Sequence, residues 1–356
     1  MASLVLRIEI QQQKRVYFPG ETISGILHVE PASNVTCRKL TINMNWRTGG
    51  RGNTDEGAKP QTITLYTGDF KAGLVEQFPF VFTVPNGPLT YHGNLLYVNW
   101  YLKAQADIAW AIDPTAQAEF VIGSPAEPVP LDLGPNYKPP KPPSQKEDMP
   151  WWGYVICAII LGVLVYFFSW CCLIIAVPLI VFWAIPAYIK YLQVKKLGNR
   201  VLEIDPQQAY GGDPIAVTFR YQAKKQIKVE YISATITGEE KVESGSGSTR
   251  QTHRNPLFNE EQFLVRDIVT APGVPASHRA EIYLPAKAAP TFVSPNNAVE
   301  WKVNLNIKIT NYGIWTETYS ITVWPTPGQE QFVPEPDWDD DDDDEDDNNV
   351  KPILKH

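Results

Sequence analysis

The side chains that could do chemistry are few and do not cluster along the chain. Five histidines, His28, His92, His253, His278 and His356, stand apart from one another at no metal-ligand spacing. The four cysteines, Cys37, Cys157, Cys171 and Cys172, contain no CxxC pair, and three of them fall in one apolar run. Zinc needs about four converging N or S donors and a disulfide framework needs paired cysteines, so neither is indicated. HExxH, GxSxG and the P-loop are absent; Gly49-Gly50-Arg51-Gly52 lacks the Lys and Ser/Thr that would follow and reads as a hairpin loop. His28 lies in an alternating strand and is expected to be a solvated or hydrogen-bonded strand residue. These residues predict a non-enzymatic protein with no catalytic residues, cofactor, metal or evident small-molecule substrate.

Two other groups have a physical specialisation. The first is charge: Glu330 to Asp347 holds 12 acidic and no basic residues, leaving 27 acidic residues against 31 Lys and Arg elsewhere. Like charges at that density cannot bury a core, so a disordered tail over 326–356 is predicted, as a solubilising segment or one that docks on a basic surface. A nearly neutral body without a basic stripe gives no footprint for nucleic acid. The second group partitions between water and lipid. Trp and Tyr collect at bilayer interfaces and Lys and Arg at the cytosolic ends of spans. Trp151, Trp152, Trp170, Tyr188, Lys190, Lys195, Lys196 and Arg200 fit that role, spaced along and just after the apolar run.

That run, Trp151 to Ile189, has 39 residues and no charged side chain. A bilayer core takes roughly 20 apolar helical residues, and lipid forbids exposed irregular backbone, so 39 is about two spans. A transmembrane or re-entrant α-helical hairpin over 151–192 is predicted. A deep wedge that never fully crosses, and one long helix broken near Pro178, stay open. Lys138, Lys141 and Lys146 before the run and Lys190, Lys195, Lys196 and Arg200 after it make both flanks positive. The charge rule and an even span count agree on a multi-pass integral membrane protein whose soluble domains are cytoplasmic. No cleaved signal is evident at the N-terminus. Cys171-Cys172 near the proposed tip are read as small residues packing between helices, with lipidation the alternative.

Everything else reads as strand. Leu6 to Ile10 and Lys39 to Trp46 alternate, Pro19-Gly20 supplies a turn, and Thr62 to Tyr66, Gln77 to Val84, Leu95 to Ile108 and Ala118 to Ile122 follow at short intervals. A β-sandwich over 1–124 is expected. The stretch 125–150 is Pro-rich, including Lys138-Pro139-Pro140-Lys141-Pro142-Pro143, and reads as a polyproline II spacer. Residues 200–325 then repeat the first domain. Tyr17 to Ile23 matches Ala209 to Ile215 and Leu40 to Met44 matches Ile232 to Ile236 at an offset of 192. Phe80 to Pro85 answers Ala280 to Pro285, and Val98 to Leu102 answers Val299 to Val303. Four matches in one order argue for two copies of one sandwich.

The turn and strand Tyr17-Phe18-Pro19-Gly20-Glu21-Thr22-Ile23-Ser24-Gly25 resembles the aromatic-x-PGE-x-hydrophobic-x-Gly motif of the N-lobe of the arrestin-like superfamily. The second copy looks like its C-lobe, with Gly211-Gly212-Asp213 in place of Pro-Gly-Glu. The implied fold class is all-β, two arrestin-like sandwiches plus the membrane hairpin. The implied function is an adaptor or scaffold that binds other proteins of unknown identity at the cytosolic membrane face. A membrane-associated enzyme or remodelling factor using the hairpin as a bilayer wedge is the alternative. Family lobes are joined by a short linker and pack together. Here 75 residues, 125 to 199, intervene, which argues against a rigid interlobe clasp.

Overall fold

Residues 4–11, 16–109, 112–127, 130–141 and 196–327 are described by a computed structural model of the chain. The first sandwich is built from β1 (Leu4–Ile10), β2 (Thr22–Pro31), β3 (Val35–Gly50), β4 (Gln61–Phe70), β5 (Glu76–Thr83), β6 (Tyr91–His92), β7 (Leu96–Ile108) and β8 (Thr115–Phe120). One sheet has the order β1-β2-β5 and the other β4-β3-β7-β6, with β8 on β7. The second sandwich uses β9 (Asn199–Asp205), β10 (Gln208–Tyr210), β11 (Pro214–Gln222), β12 (Ile227–Ser244), β13 (Gln251–Thr270), β14 (Pro275–Tyr283), β15 (Phe292–Val293), β16 (Asn297–Ile309) and β17 (Gly313–Trp324). There β11-β14 forms one sheet, and β10-β17-β16-β12-β13, with β15 on β16, the other.

Period-2 patterning drives these pairings. In β16, Val299, Trp301, Val303, Leu305, Ile307 and Ile309 are buried, while Glu300, Lys302, Asn304, Asn306 and Lys308 alternate with them and stay partly wet. A one-residue slip would exchange the two sets, so burial pins the register. The repeat predicted from sequence is realised in that register. Thr22 faces Thr83 in the first sandwich and Pro214 faces Tyr283 in the second; Leu40 faces Ala106 and Ile232 faces Ile307. Special hydrogen bonds repeat as well. The indole of Trp100 donates to the Pro88 carbonyl at 2.7 Å, and that of Trp301 to the Ala289 carbonyl at 2.9 Å. The N–H groups of Ile122 and Val323 each donate to a threonine hydroxyl, Thr90 and Thr291, at 2.9 Å.

The Pro-Gly-Glu turn is explained by the same comparison. Gly20 and Gly212 both take positive φ, +83° and +88°, which side chains other than Gly rarely adopt. Beside them the Glu21 carboxylate accepts the Phe18 N–H at 3.1 Å and that of Asp213 the Tyr210 N–H at 2.8 Å. Glu and Asp at this position therefore cap the turn from the side chain.

No helix among the described residues is long and apolar enough to cross a membrane, and the apolar run 151–189 lies outside them. The acidic tail from 328 onward also lies outside them. The first part of the Pro-rich stretch is described and is docked rather than free. Asp132 N–H donates to Asn86 O at 2.9 Å, Val293 N–H to Leu133 O at 2.8 Å and Asn136 N–H to Val293 O at 3.1 Å. The Tyr137 hydroxyl bonds that of Thr322 at 2.8 Å. Backbone groups of Leu133 and Asn136 find partners on β15, so this part of the linker behaves as an added strip on the second sandwich.

Candidate functional site

Each sandwich has the β2–β3 type of turn at one end and, at the other, the end of its longest central strand beside a tight β6–β7 or β15–β16 turn. The latter ends of the two sandwiches meet. Beyond β3 the chain folds back, with Thr48 and Asp55 exchanging backbone and hydroxyl hydrogen bonds, and this presents the Asp55 carboxylate to the second sandwich. There it accepts from Ser294 Oγ at 2.6 Å, from the Asn296 N–H at 2.9 Å, and from the side-chain amides of Asn296 and Asn297 at 2.7 and 2.8 Å. Glu240, on β12, reaches the opposite way. It accepts from the Tyr91 hydroxyl at 2.7 Å, the Asn94 N–H at 3.1 Å, the Leu95 N–H at 3.0 Å and Asn255 Nδ2 at 3.2 Å.

The arrangement is a pseudo-twofold. Leu95 and Asn296 occupy the same place in the repeat, and the backbone N–H of each donates to a carboxylate of the other sandwich. Asn53 and Gly245, equivalent at the offset of 192, meet across the interface: the Asn53 side-chain amide donates to the Gly245 carbonyl at 2.8 Å and its oxygen accepts the Gly245 N–H at 3.0 Å. Trp46 adds an apolar contact, edge-on to Phe292 at 5.8 Å between centroids.

Both carboxylates are desolvated: Glu240 is 0% and Asp55 7% exposed. Among the described residues neither makes an ion pair, so neutral donors alone stabilise them. A buried carboxylate is costly unless its lone pairs are filled, and here four donors fill each. Burial, then the hydrogen bond to Glu240 and its charge, push the Tyr91 hydroxyl well above its usual pKa, so it remains a donor. Two glycines permit the approach. A Cβ on Gly93 would lie 1.5 Å from Glu240 Oε1, and one on Gly52 would lie 2.3 Å from Asn297 Oδ1.

This overturns the expectation that the long insertion leaves the sandwiches unclasped. Chain separation is a matter of loop entropy, which grows slowly with length, whereas the clasp is local and made by about a dozen polar groups. Gly52, read as part of a hairpin loop, belongs to the clasp. Asp55, Glu240, Tyr91 and Asn297 were not singled out from sequence. The signal available was small: under the repeat, Gly93-Asn94-Leu95-Leu96 aligns with Ser294-Pro295-Asn296-Asn297, so amides replace leucines where Asp55 docks.

Of the residues predicted for the membrane interface, Trp151, Trp152, Trp170, Tyr188, Lys190 and Lys195 lie outside the described residues. Lys196 and Arg200 open the second sandwich. Lys196 Nζ sits 3.6 Å from the Tyr312 ring centroid. Arg200 is 13% exposed, 5.1 Å from the Trp315 ring centroid and 3.9 Å from Glu317, so its charge is spent within the sandwich. Among the described residues the histidines are dispersed: His28 bonds Glu9 at 2.8 Å across strands, and His253 bonds Ser244 at 3.0 Å.

Residues 3–127, 125 of the 356, match the family model described as arrestin (or S-antigen), C-terminal domain. No curated protein matches the chain. The match and the all-β sandwiches together support an arrestin-like fold. It falls on the sandwich read from sequence as N-lobe-like. The two sandwiches share one strand plan, so a domain-level pattern does not by itself order them.

Proposed function

We propose that the protein is a membrane-anchored, non-enzymatic adaptor or scaffold whose two sandwiches sit together on the cytosolic face of a bilayer and bind other proteins there. The observation that carries this reading is the clasp. A single crossing by residues 151–189 would put the sandwiches on opposite faces, where Asp55 could not reach Asn297 nor Glu240 reach Leu95. The clasp therefore supports an apolar run that returns to the side it left, as the positive flanks also do. Two sandwiches held at a set angle suit the display of a composite surface.

Strand edges offer a recognition mode. Among the described pairings β4 and β13 are bonded on one side only. Pro256, Arg254, Glu260, Glu261 and Arg266 line β13, the devices that keep an edge from accepting a strand. β4, Gln61-Thr62-Ile63-Thr64-Leu65-Tyr66-Thr67-Gly68-Asp69-Phe70, has no proline and one charge, and suits pairing with an extended peptide. The topology is tested by protease and cysteine-labelling accessibility in sealed membranes at exposed positions near 60 and 250. Both are expected to be cleaved or labelled from one face only. Labelling from opposite faces would refute the reading.

A further inference from the structure

We infer that the end of the second sandwich farthest from the clasp is a docking surface for an anionic lipid bilayer, so that the two-lobed body stands upright on the membrane rather than hanging from it. The inference rests on the membrane-anchored reading above and says which surface of the body faces the lipid. Four segments converge at this end. The turn joining β11 to β12 accepts the Gly273 N–H on Ala223 O at 2.8 Å, and its Lys224 N–H donates to Lys196 O at 3.1 Å. The Thr310 N–H donates to Lys228 O at 3.0 Å, and Lys196 covers Tyr312. Lys196 is the seventh residue after the apolar run ends at Ile189. Seven residues reach at most about 25 Å, so the run holds this end close to the bilayer surface.

Surface chemistry fits that place. Lys224, Lys225 and Lys228 are exposed, and beside them Val269 and Val274 are 59% and 55% exposed; the acidic neighbours are Asp267 on β13 and Glu230 on β12, the latter paired with Lys308 at 3.0 Å. Apolar side chains ringed by lysines suit the headgroup layer, where each lysine near an anionic leaflet is worth roughly a fivefold gain in partitioning. The repeat supplies an internal control. At the same end of the first sandwich, Leu74 takes the place of Val274, with the turn held alike by a Gly73 N–H bond to Pro31 O at 2.9 Å. Yet Ala32, Ser33 and Thr36 stand where the second sandwich has Lys224, Lys225 and Lys228, and the exposed Lys71 of that turn is accompanied by Glu30, Asp69 and Glu76. The cluster of three lysines is thus a property of the one end next to the membrane run.

The other flank can reach the same place. Tyr137 is tied to Thr322, ten residues along β17 from Tyr312, or about 33 Å at 3.3 Å per residue. Residues 138 to 150 number 13, and at polyproline II spacing cover about 40 Å. The Pro-rich stretch is long enough to bring Trp151 down the length of the second sandwich to the end where Lys196 begins it.

The test uses full-length protein with Cys157, Cys171 and Cys172 changed to Ala, buried Cys37 retained, and an environment-sensitive fluorophore on Val274→Cys or, separately, Leu74→Cys. Each is reconstituted into phosphatidylcholine vesicles with and without phosphatidylglycerol, and carbonate extraction is run on the same samples. The Val274→Cys probe is expected to shift to the blue in the anionic vesicles and to lose that shift when Lys224, Lys225 and Lys228 are changed to Glu. The Leu74→Cys probe is expected to report water in both. A Val274→Cys probe in water while the protein resists carbonate overturns the docking surface and leaves the membrane anchor standing. Release by carbonate overturns both. A shift that survives charge reversal, one shared by Leu74→Cys, or one that appears only after deletion of the acidic tail, overturns the docking surface.

Discussion

Replacing Glu240 with Ala removes the acceptor that four donors from both sandwiches share, and the cost can be worked from the geometry. The Leu95 and Asn94 N–H groups and the Tyr91 hydroxyl lose their partner in a site with no exposed carboxylate surface. Each buried donor left unmade costs about 1–3 kcal/mol, and removing one member of a buried charged network costs about 3–5 kcal/mol in all. Glu240→Ala is therefore expected to destabilise by about 3–5 kcal/mol. Tyr91→Phe, which removes one bond to a charged acceptor, is expected to cost about 1.5–3 kcal/mol. Because the second loss is contained in the first, the double variant should cost about 1.5–3 kcal/mol less than the sum. Urea titration of the detergent-solubilised full chain, followed by tryptophan fluorescence, measures all three, and Trp46 beside Phe292 reports on the interface itself. Additivity within about 0.5 kcal/mol would mean that the two groups are not coupled and would refute the clasp. So would a Glu240→Ala cost below about 1 kcal/mol.

Gly93→Ala should imitate the loss of Glu240, since the new Cβ would lie 1.5 Å from its Oε1; a Tm matching the parent's in thermal melts would contradict the interface packing. Trp301→Ala is expected to cost about 3–5 kcal/mol by urea titration, because the ring is 2% exposed and its indole N–H is bonded to Ala289. Burial lowers the pKa of His92 and His278, so the folded protein resists a proton that the unfolded chain binds below about pH 6.5. Stability is then complete above that pH and falls as pH drops through it; a Tm that rises between pH 7 and pH 5.5 would contradict the sign. Burial raises the Tyr221 hydroxyl to about 12, so the folded state holds a proton that the unfolded chain loses above about pH 10, and stability declines with further alkalinity. A spectroscopic titration of tyrosinate in Tyr221→Phe against the parent checks it.

Alternating apolar residues, Gly at the turns and the offset of 192 were enough to predict strands, two sandwiches and their equivalence. These features are local or periodic, and burial of one face enforces them residue by residue. β3 and β7 pair within the ranges that alternation marked out, and Trp100 and Trp301, aligned by the repeat, make the same bond. The 39-residue apolar run and the acidic tail are likewise matters of composition, visible without any fold. What only the tertiary structure decided is how the copies face each other. Asp55 and Glu240 look like ordinary loop and strand acids, because nothing in an acidic residue's neighbours along the chain says that its acceptors will be filled from 145 or 241 positions away. The same holds for the lysines at 224, 225 and 228, which become one surface with Lys196 and Val274 only when four separate segments end together. Periodicity reports which face of a strand is buried; it does not report which strand ends meet, and in this protein the strand ends carry the clasp and the proposed membrane contact.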